Sequence, residues 1–172
     1  MTKMVEWYGN MFYMWTRHAY DIHKQRLVSE SAGIHGFKYS EGTFVPFIYG
    51  TTTAGTHTYS YQVGRYIKEN RKVHVDIMLQ ISSKDAAMAG NVYVGGLPFA
   101  AENVSNHYSC GNIGRADFLS FGTAKAIGVN VATNGNYIIL YKIMDNAARG
   151  YVAAADVGNL ILWLSADYTA AT

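Results

Sequence analysis

Two residue pairs have the types and spacing for proton or metal chemistry: His74 with Asp76, and Asp21 with His23, each two residues apart. On a strand that spacing sets both side chains on one face. His74 and Asp76 could there act as an acid–base or metal pair, or form an ordinary polar pair on a wetted surface. His18 and His23 stand five apart and miss the i, i+4 spacing by which one helix face holds zinc. His35 and His57 fall in loop-like stretches. No spacing forces two carboxylates together, as glycoside cleavage needs. No Gly-x-Ser-x-Gly elbow occurs. Neither Gly90-x-x-x-x-Gly95-Gly96 nor Gly111-x-x-Gly114 opens a helical pattern that could cradle phosphate. The lone Cys110 excludes an internal disulfide and a cysteine-rich zinc site. With only His107 near it, it reads as a buried or idle thiol. No catalytic residue, metal site or cofactor is therefore assigned from the sequence.

Binding chemistry is better supplied. Recognition of a sugar uses aromatic faces for C–H stacking and Asn, Asp or Arg for directed hydrogen bonds to hydroxyls. Two stretches mix these types: Glu102-Asn103-Val104-Ser105-Asn106-His107-Tyr108, with Arg115 and Asp117 beyond it, and Asp145-Asn146-Ala147-Ala148-Arg149-Gly150-Tyr151. Asn106, His107, Tyr108, Arg115, Asp117, Asn146, Arg149 and Tyr151 are the candidate sugar-binding residues. The competing reading of each is a polar turn with an anchoring tyrosine.

The elements that must position them are strands. From Lys72 to Ser82 the chain alternates: Val73, Val75, Ile77, Leu79 and Ile81 share one face, and Lys72, His74, Asp76, Gln80 and Ser82 the other. That is a strand with one face in a core. Further strands are expected near 44–50, 57–63, 64–68, 90–94, 108–114, 118–121, 124–132, 136–144, 150–155 and 159–166. Thr133-Asn134-Gly135-Asn136 predicts a hairpin with a type I′ turn. Gly64 would permit a bend between two strands. Gly95 and Gly96 would allow close backbone approach, and Pro98 would end ladder pairing. Short strands at this spacing predict a mainly β fold, an antiparallel β-sandwich, jelly roll or barrel, over residues 43–172.

Residues 1–42 differ. Met1, Val5, Tyr8, Phe12, Trp15, Ala19 and Ile22 follow 4-3-4-3 spacing, an apolar helical seam. Ser29, Ser31, Gly33, Gly36, Ser40 and Gly42 then read as a linker. A short N-terminal helical segment is therefore expected ahead of the β domain, its bulky seam suited to bundling of several chains.

Composition narrows the function classes. The 172 residues include 15% charged and 14% aromatic residues, with 14 tyrosines, where soluble domains average about 25% charged. Such a chain hides surface in an oligomer, holds a ligand with aromatics, or presents an uncharged Thr-, Ser- and Asn-rich surface. A net charge of +2 with no basic run beyond two residues lacks the footprint of a nucleic-acid binder. No apolar run approaches the length of a membrane span and no signal-peptide pattern opens the chain. Phe44-Val45-Pro46-Phe47-Ile48-Tyr49 and Leu160-Ile161-Leu162-Trp163-Leu164 are apolar on both sides. In an isolated antiparallel sheet one side would face water, so another subunit, or a covering loop, is expected over them.

An ordered series of residues resembles a known family: Phe44-x-Pro46 before a Gly/Thr-rich turn, Gly64-Arg65-Tyr66-x-Lys68-x-Asn70, the strand ending Ser82-Ser83-Lys84, and Gly95-Gly96-Leu97-Pro98-Phe99. With the closing Ser165-Ala166-Asp167-Tyr168-Thr169-Ala170, it is similar to the C-terminal domains of bacteriophage tail fibres and tailspikes over about three quarters of the chain. Glu69 stands where a small residue is common, and Lys84-Asp85-Ala86-Ala87 is poorer in glycine than the pattern. The resemblance implies a homotrimer in the virion tail, assembled in the host cytoplasm. It implies adhesion to host surface glycan such as capsule or O-antigen, rather than catalysis in this chain. Phe12, Trp15, Phe44, Phe47, Tyr49, Ile161 and Trp163 would then form the trimer interface. The alternatives are a pure trimerisation module, or the C-terminal cap of a polysaccharide depolymerase whose catalytic domain lies upstream.

Overall fold

A computed structural model describes residues 38–105 and 107–172, and the unit that carries the fold is Glu41–Thr172. The helical segment expected over 1–27 lies outside the described residues, as do Phe12, Trp15, Asp21, His23 and Asn106. The described residues form ten strands: β1 Tyr39–Phe44, β2 Phe47–Gly50, β3 Thr58–Glu69, β4 Lys72–Ser83, β5 Val92–Gly95, β6 Ser109–Leu119, β7 Ala126–Val131, β8 Tyr137–Ile143, β9 Gly150–Tyr151 and β10 Val157–Thr169. One 3₁₀ turn, Ala154–Asp156, precedes β10.

All ten belong to one sheet in the order β1-β3-β4-β10-β6-β7-β8-β5-β2, with β9 beside β8. The expected two-sheet sandwich or jelly roll is therefore replaced by a single antiparallel sheet that curls. The chain itself proves the curl. β1 and β2 sit at opposite ends of the strand order, yet only Val45 and Pro46 separate them. Three peptide steps span at most about 11 Å, so the first and last strands meet at this corner. Side chains close the seam: Gln62 Nε2 donates to the Pro46 carbonyl at 2.9 Å, and the Tyr59 hydroxyl accepts from Ile48 N–H at 3.0 Å. Pro46, lacking an N–H, suits a corner where ladder pairing stops.

The core fills the inside of the curl. Val73, Val75, Ile77, Leu79 and Ile81 of β4 are buried as their alternation predicts, opposite Leu160, Leu162, Leu164, Ala166 and Tyr168 of β10. Ile48, Val92, Val94, Val129, Val131, Ile138 and Leu140 complete it from the other half of the sheet. Because the apolar run of β10 has period two, its even-numbered residues point inward and Ile161 and Trp163 outward.

Several boundaries differ from expectation. β1 begins at Tyr39, inside the expected linker. Gly64 does not divide two strands; it lies within β3, and a Cβ there would stand 2.6 Å from the Phe44 ring. Close packing, not bending, needs that glycine. The expected strands at 108–114 and 118–121 are one strand, β6, with a register shift near Gly114 and Phe118 at φ 58°. The β7–β8 hairpin forms, but only Asn134 (φ 54°) is left-handed, and Gly135 N–H donates to Ala132 at 3.3 Å. A type I′ turn needs two such residues, so this is a longer loop. Gly96 adopts φ 90° where a Cβ would strike the Val45 carbonyl, as the Gly-Gly reading anticipates.

Candidate functional site

On the outer face of the curl, β2, β5, β8 and β9 present aromatic side chains. Alternation puts Phe47, Tyr49, Tyr93, Tyr137 and Tyr141 outward while Ile48, Val92, Val94, Ile138 and Leu140 fill the core. Pairing aligns them in rows: Phe47–Gly95–Tyr137, Tyr49–Tyr93–Ile139, and Tyr151–Tyr141. Gly95 is what lets the rings lie down across β5, since a Cβ there would stand 2.6 Å from the Phe47 ring.

The rings form a cluster. Tyr93 and Tyr137 stack at 5.0 Å between centroids with 9° between planes. Tyr49 meets Tyr93 edge-on at 5.8 Å and Tyr137 at 6.5 Å, and Phe47 flanks Tyr49 at 5.7 Å. Burial, and then the neighbouring phenols, raise the Tyr49 and Tyr93 hydroxyls above the ordinary tyrosine value; Tyr137 acts on both and Tyr151 on Tyr93. Tyr49, Tyr93 and Tyr137 thus form one cluster, with Tyr151 beside Tyr93. Among the described residues none of the four hydroxyls has a protein hydrogen-bond partner, whereas Tyr59 and Tyr168 donate to backbone carbonyls. A phenol O–H is one donor and an acceptor. Four of them on apolar rings form a surface matched to a polyhydroxylated ligand.

Arg149 borders this cluster. Its guanidinium lies over the Tyr141 ring, 5.2 Å from the centroid. The Asn130 amide, turned so that its nitrogen faces the Val129 carbonyl at 2.9 Å, sets its oxygen 3.3 Å from Arg149 Nη1. Among the described residues no carboxylate pairs with Arg149, unlike Arg71, Arg115, Lys125 and Lys142.

Of the sugar-binding candidates, the structure brings Arg149 and Tyr151 to this face. Phe47 and Tyr49, expected at an interface, lie on it too. Asn146 sits in the exposed turn before β9 with φ 54°. Arg115 and Asp117 lie elsewhere, on the outer face of β6: Arg115 Nε and Nη2 donate to Asp117 at 2.7 and 2.5 Å, and the guanidinium covers Trp163 at 5.2 Å. Trp163 Nε1 donates to the Tyr61 hydroxyl at 3.3 Å. Pairing sets Val63, Met78 and Trp163 in one outward row, 42%, 44% and 37% exposed. His107 is held by Glu102 at 2.8 Å, whose other oxygen accepts from Arg71 at 2.7 Å; Tyr108 is exposed. Phe44 packs against the core and Ile161 is half-buried.

His74 lies between Asp76 (3.5 Å) and Asp167 (3.0 Å). It lines a groove of about 450 Å³ with Glu41, Arg65 and Ile67. Among the described residues no three His, Cys, Asp or Glu side chains are placed to hold a metal, and no helix is long and apolar enough to cross a membrane. Cys110 is exposed, opposite Asn130.

Tyr93, Tyr137, Tyr141 and Asn130 were not singled out from the sequence. Their signal was present as tyrosines at outward positions of short alternating strands. What it lacked was the strand order that puts residues 49, 93 and 137 side by side.

No protein-family model and no curated protein matches this sequence. Among solved structures, the crystal structure of Dettilon tailspike protein (gp208) is similar, with a TM-score of 0.63 at 15% identity over 77% of this chain. The match covers 24% of that protein, so the chain spans about a quarter of its length. At this identity the likeness is one of fold: the matched part of this chain shares its β fold with a part of that tailspike.

Proposed function

We propose that this chain is an adhesion module of a bacteriophage tail fibre or tailspike, and that the phenol face of β2, β5, β8 and β9 holds host surface polysaccharide. The single observation that carries this reading is the cluster of four unpartnered tyrosine hydroxyls, Tyr49, Tyr93, Tyr137 and Tyr151, on one outer face. The fold likeness to a tailspike supports the setting in the virion tail; assembly in the host cytoplasm is part of the same proposal. The chain binds rather than turns over its glycan; any depolymerase activity belongs to an upstream part of the parent protein.

The reading includes a homotrimer. Weak sugar contacts suffice when three copies on one fibre engage together, because the second and third events are intramolecular. The test is retention of the purified chain on an array of bacterial capsular and O-antigen polysaccharides, with the double variant Tyr93→Phe/Tyr151→Phe beside it. Retention lost in the variant, with the melting temperature kept, supports the reading. Retention unchanged in the variant moves the site elsewhere.

A second reading, a pure trimerisation module, is favoured by the outward row Val63–Met78–Trp163, which is apolar and exposed on the single chain. A chain that is trimeric by light scattering yet retained on no polysaccharide decides for it.

A further inference from the structure

The phenol face carries a charge requirement that its hydroxyls alone do not explain. Arg149 is exposed, lies over the Tyr141 ring, and has no carboxylate partner among the described residues. Tyr141 pairs in register with Tyr151, and Tyr151 lies close to Tyr93. The guanidinium therefore continues the row of unpartnered hydroxyls. The carboxylates nearest in sequence are engaged elsewhere: Asp145 faces Lys125 at 3.9 Å, and Asp156 holds Lys142 at 2.7 Å and the Ala153 N–H at 2.8 Å. The guanidinium, placed over the Tyr141 ring at 5.2 Å with Nη1 3.3 Å from the Asn130 oxygen, keeps further N–H donors as a planar fork. That fork matches carboxylate or phosphate oxygens.

We infer that the phenol face selects anionic polysaccharide, Arg149 taking the acidic group of one sugar unit while Tyr93, Tyr137 and Tyr151 bond to hydroxyls of that unit and its neighbour. This rests on the adhesion reading above and adds the ligand class. Asn130 is a positioning residue, acting through Arg149. The carboxylate of a uronic or sialic acid and a pendant phosphate monoester of a phosphorylated glycan share the required chemistry.

The experiment uses the full chain on immobilised bacterial capsular polysaccharides, acidic and neutral. Each acidic one is presented native, after carboxyl reduction to the neutral alcohol, and after dephosphorylation. Arg149→Gln, Arg149→Lys and Tyr93→Phe/Tyr151→Phe are run in parallel, with thermal unfolding to confirm that each folds. The expected result is binding confined to acidic polysaccharides, weakened about 10- to 100-fold by removal of the anion or by Arg149→Gln. Arg149→Lys restores part of it, because the charge returns without the fork. The arm that abolishes binding, carboxyl reduction or dephosphorylation, identifies the acidic group. Tyrosine-dependent binding to neutral polysaccharides, indifferent to Arg149→Gln, overturns the anionic class and leaves the adhesion reading standing. Binding to none overturns both.

Discussion

The Tyr59 hydroxyl bonds to both backbone groups of Ile48, accepting from its N–H at 3.0 Å and donating to its carbonyl at 3.4 Å. Ile48 is on β2, the last strand of the sheet, and Tyr59 is on β3, next to the first. One side chain thus takes the place of a ladder pair across the seam where the curled sheet meets itself. Tyr59→Phe keeps the ring and leaves the Ile48 N–H without its partner. The expected loss is about 1–3 kcal/mol, the cost of an unsatisfied buried donor, read as a lower urea midpoint. Amide exchange should quicken at Ile48 while the β4–β10 ladder keeps its protection.

Acid should destabilise the protein in two stages. His57 Nδ1 accepts from the Asp85 N–H at 3.0 Å, and its Nε2 is buried with no partner among the described residues. Burial lowers its pKa below the ordinary 6.5, Lys84 adding to this and Asp85 opposing it. The unfolded chain therefore takes up this proton first, and stability present above about pH 6.5 is lost as pH falls. Asp85 is lowered below 3.8 by bonds from the Ala87 and Thr56 N–H groups, so its contribution is lost in a second, more acidic stage. His57→Asn offers an oxygen acceptor near the Nδ1 position and does not titrate. Melting temperature against pH should lose its first stage in that variant and keep the second.

Alkali works through Tyr168. Its hydroxyl donates to the Phe99 carbonyl at 3.0 Å, and burial pushes its pKa from 10.0 up to about 12. A raised folded-state value means the folded protein holds the proton longer than the unfolded chain does. The stability it contributes, on the order of 2–3 kcal/mol, is intact below pH 10 and disappears as pH rises towards 12. Urea midpoints should fall more steeply with pH over this range in the wild type than in Tyr168→Phe.

The strands and core were legible because period-two alternation in Lys72–Ser82 and the inward residues of 160–168 are local signals, and every inward residue of β4 is buried. The sheet's closure was not legible. Nothing between Phe44 and Phe47 says that the strands they end and begin lie at opposite ends of the strand order. Gly64 was misread for a related reason: its need arises from Phe44, twenty residues away, and not from the local backbone. Among the candidate residues, Arg149 and Tyr151 were found as a loop composition. The hydroxyls that complete their surface come from β2, β5 and β8, which only the fold brings together.

The row Val63–Met78–Trp163 carries the last prediction. It lies across β3, β4 and β10, flanked by the Arg115–Asp117 pair on one side and by Arg65 and Asp76 on the other. An apolar row of this kind, with opposite charges at its borders, is suited to contact with another copy rather than with water. Met78 is 44% exposed and points away from the core, so Met78→Asp should leave the folded chain within about 0.5 kcal/mol of the wild type, as surface substitutions do. A carboxylate inside an apolar contact lacks a partner and is costly to desolvate, so the same variant should shift the proposed trimer towards monomer. Sedimentation velocity at micromolar concentration, with circular dichroism on the same samples, measures both. A variant that stays trimeric shows that this row lies outside the subunit contact, and a wild type that sediments as a monomer removes the trimer altogether.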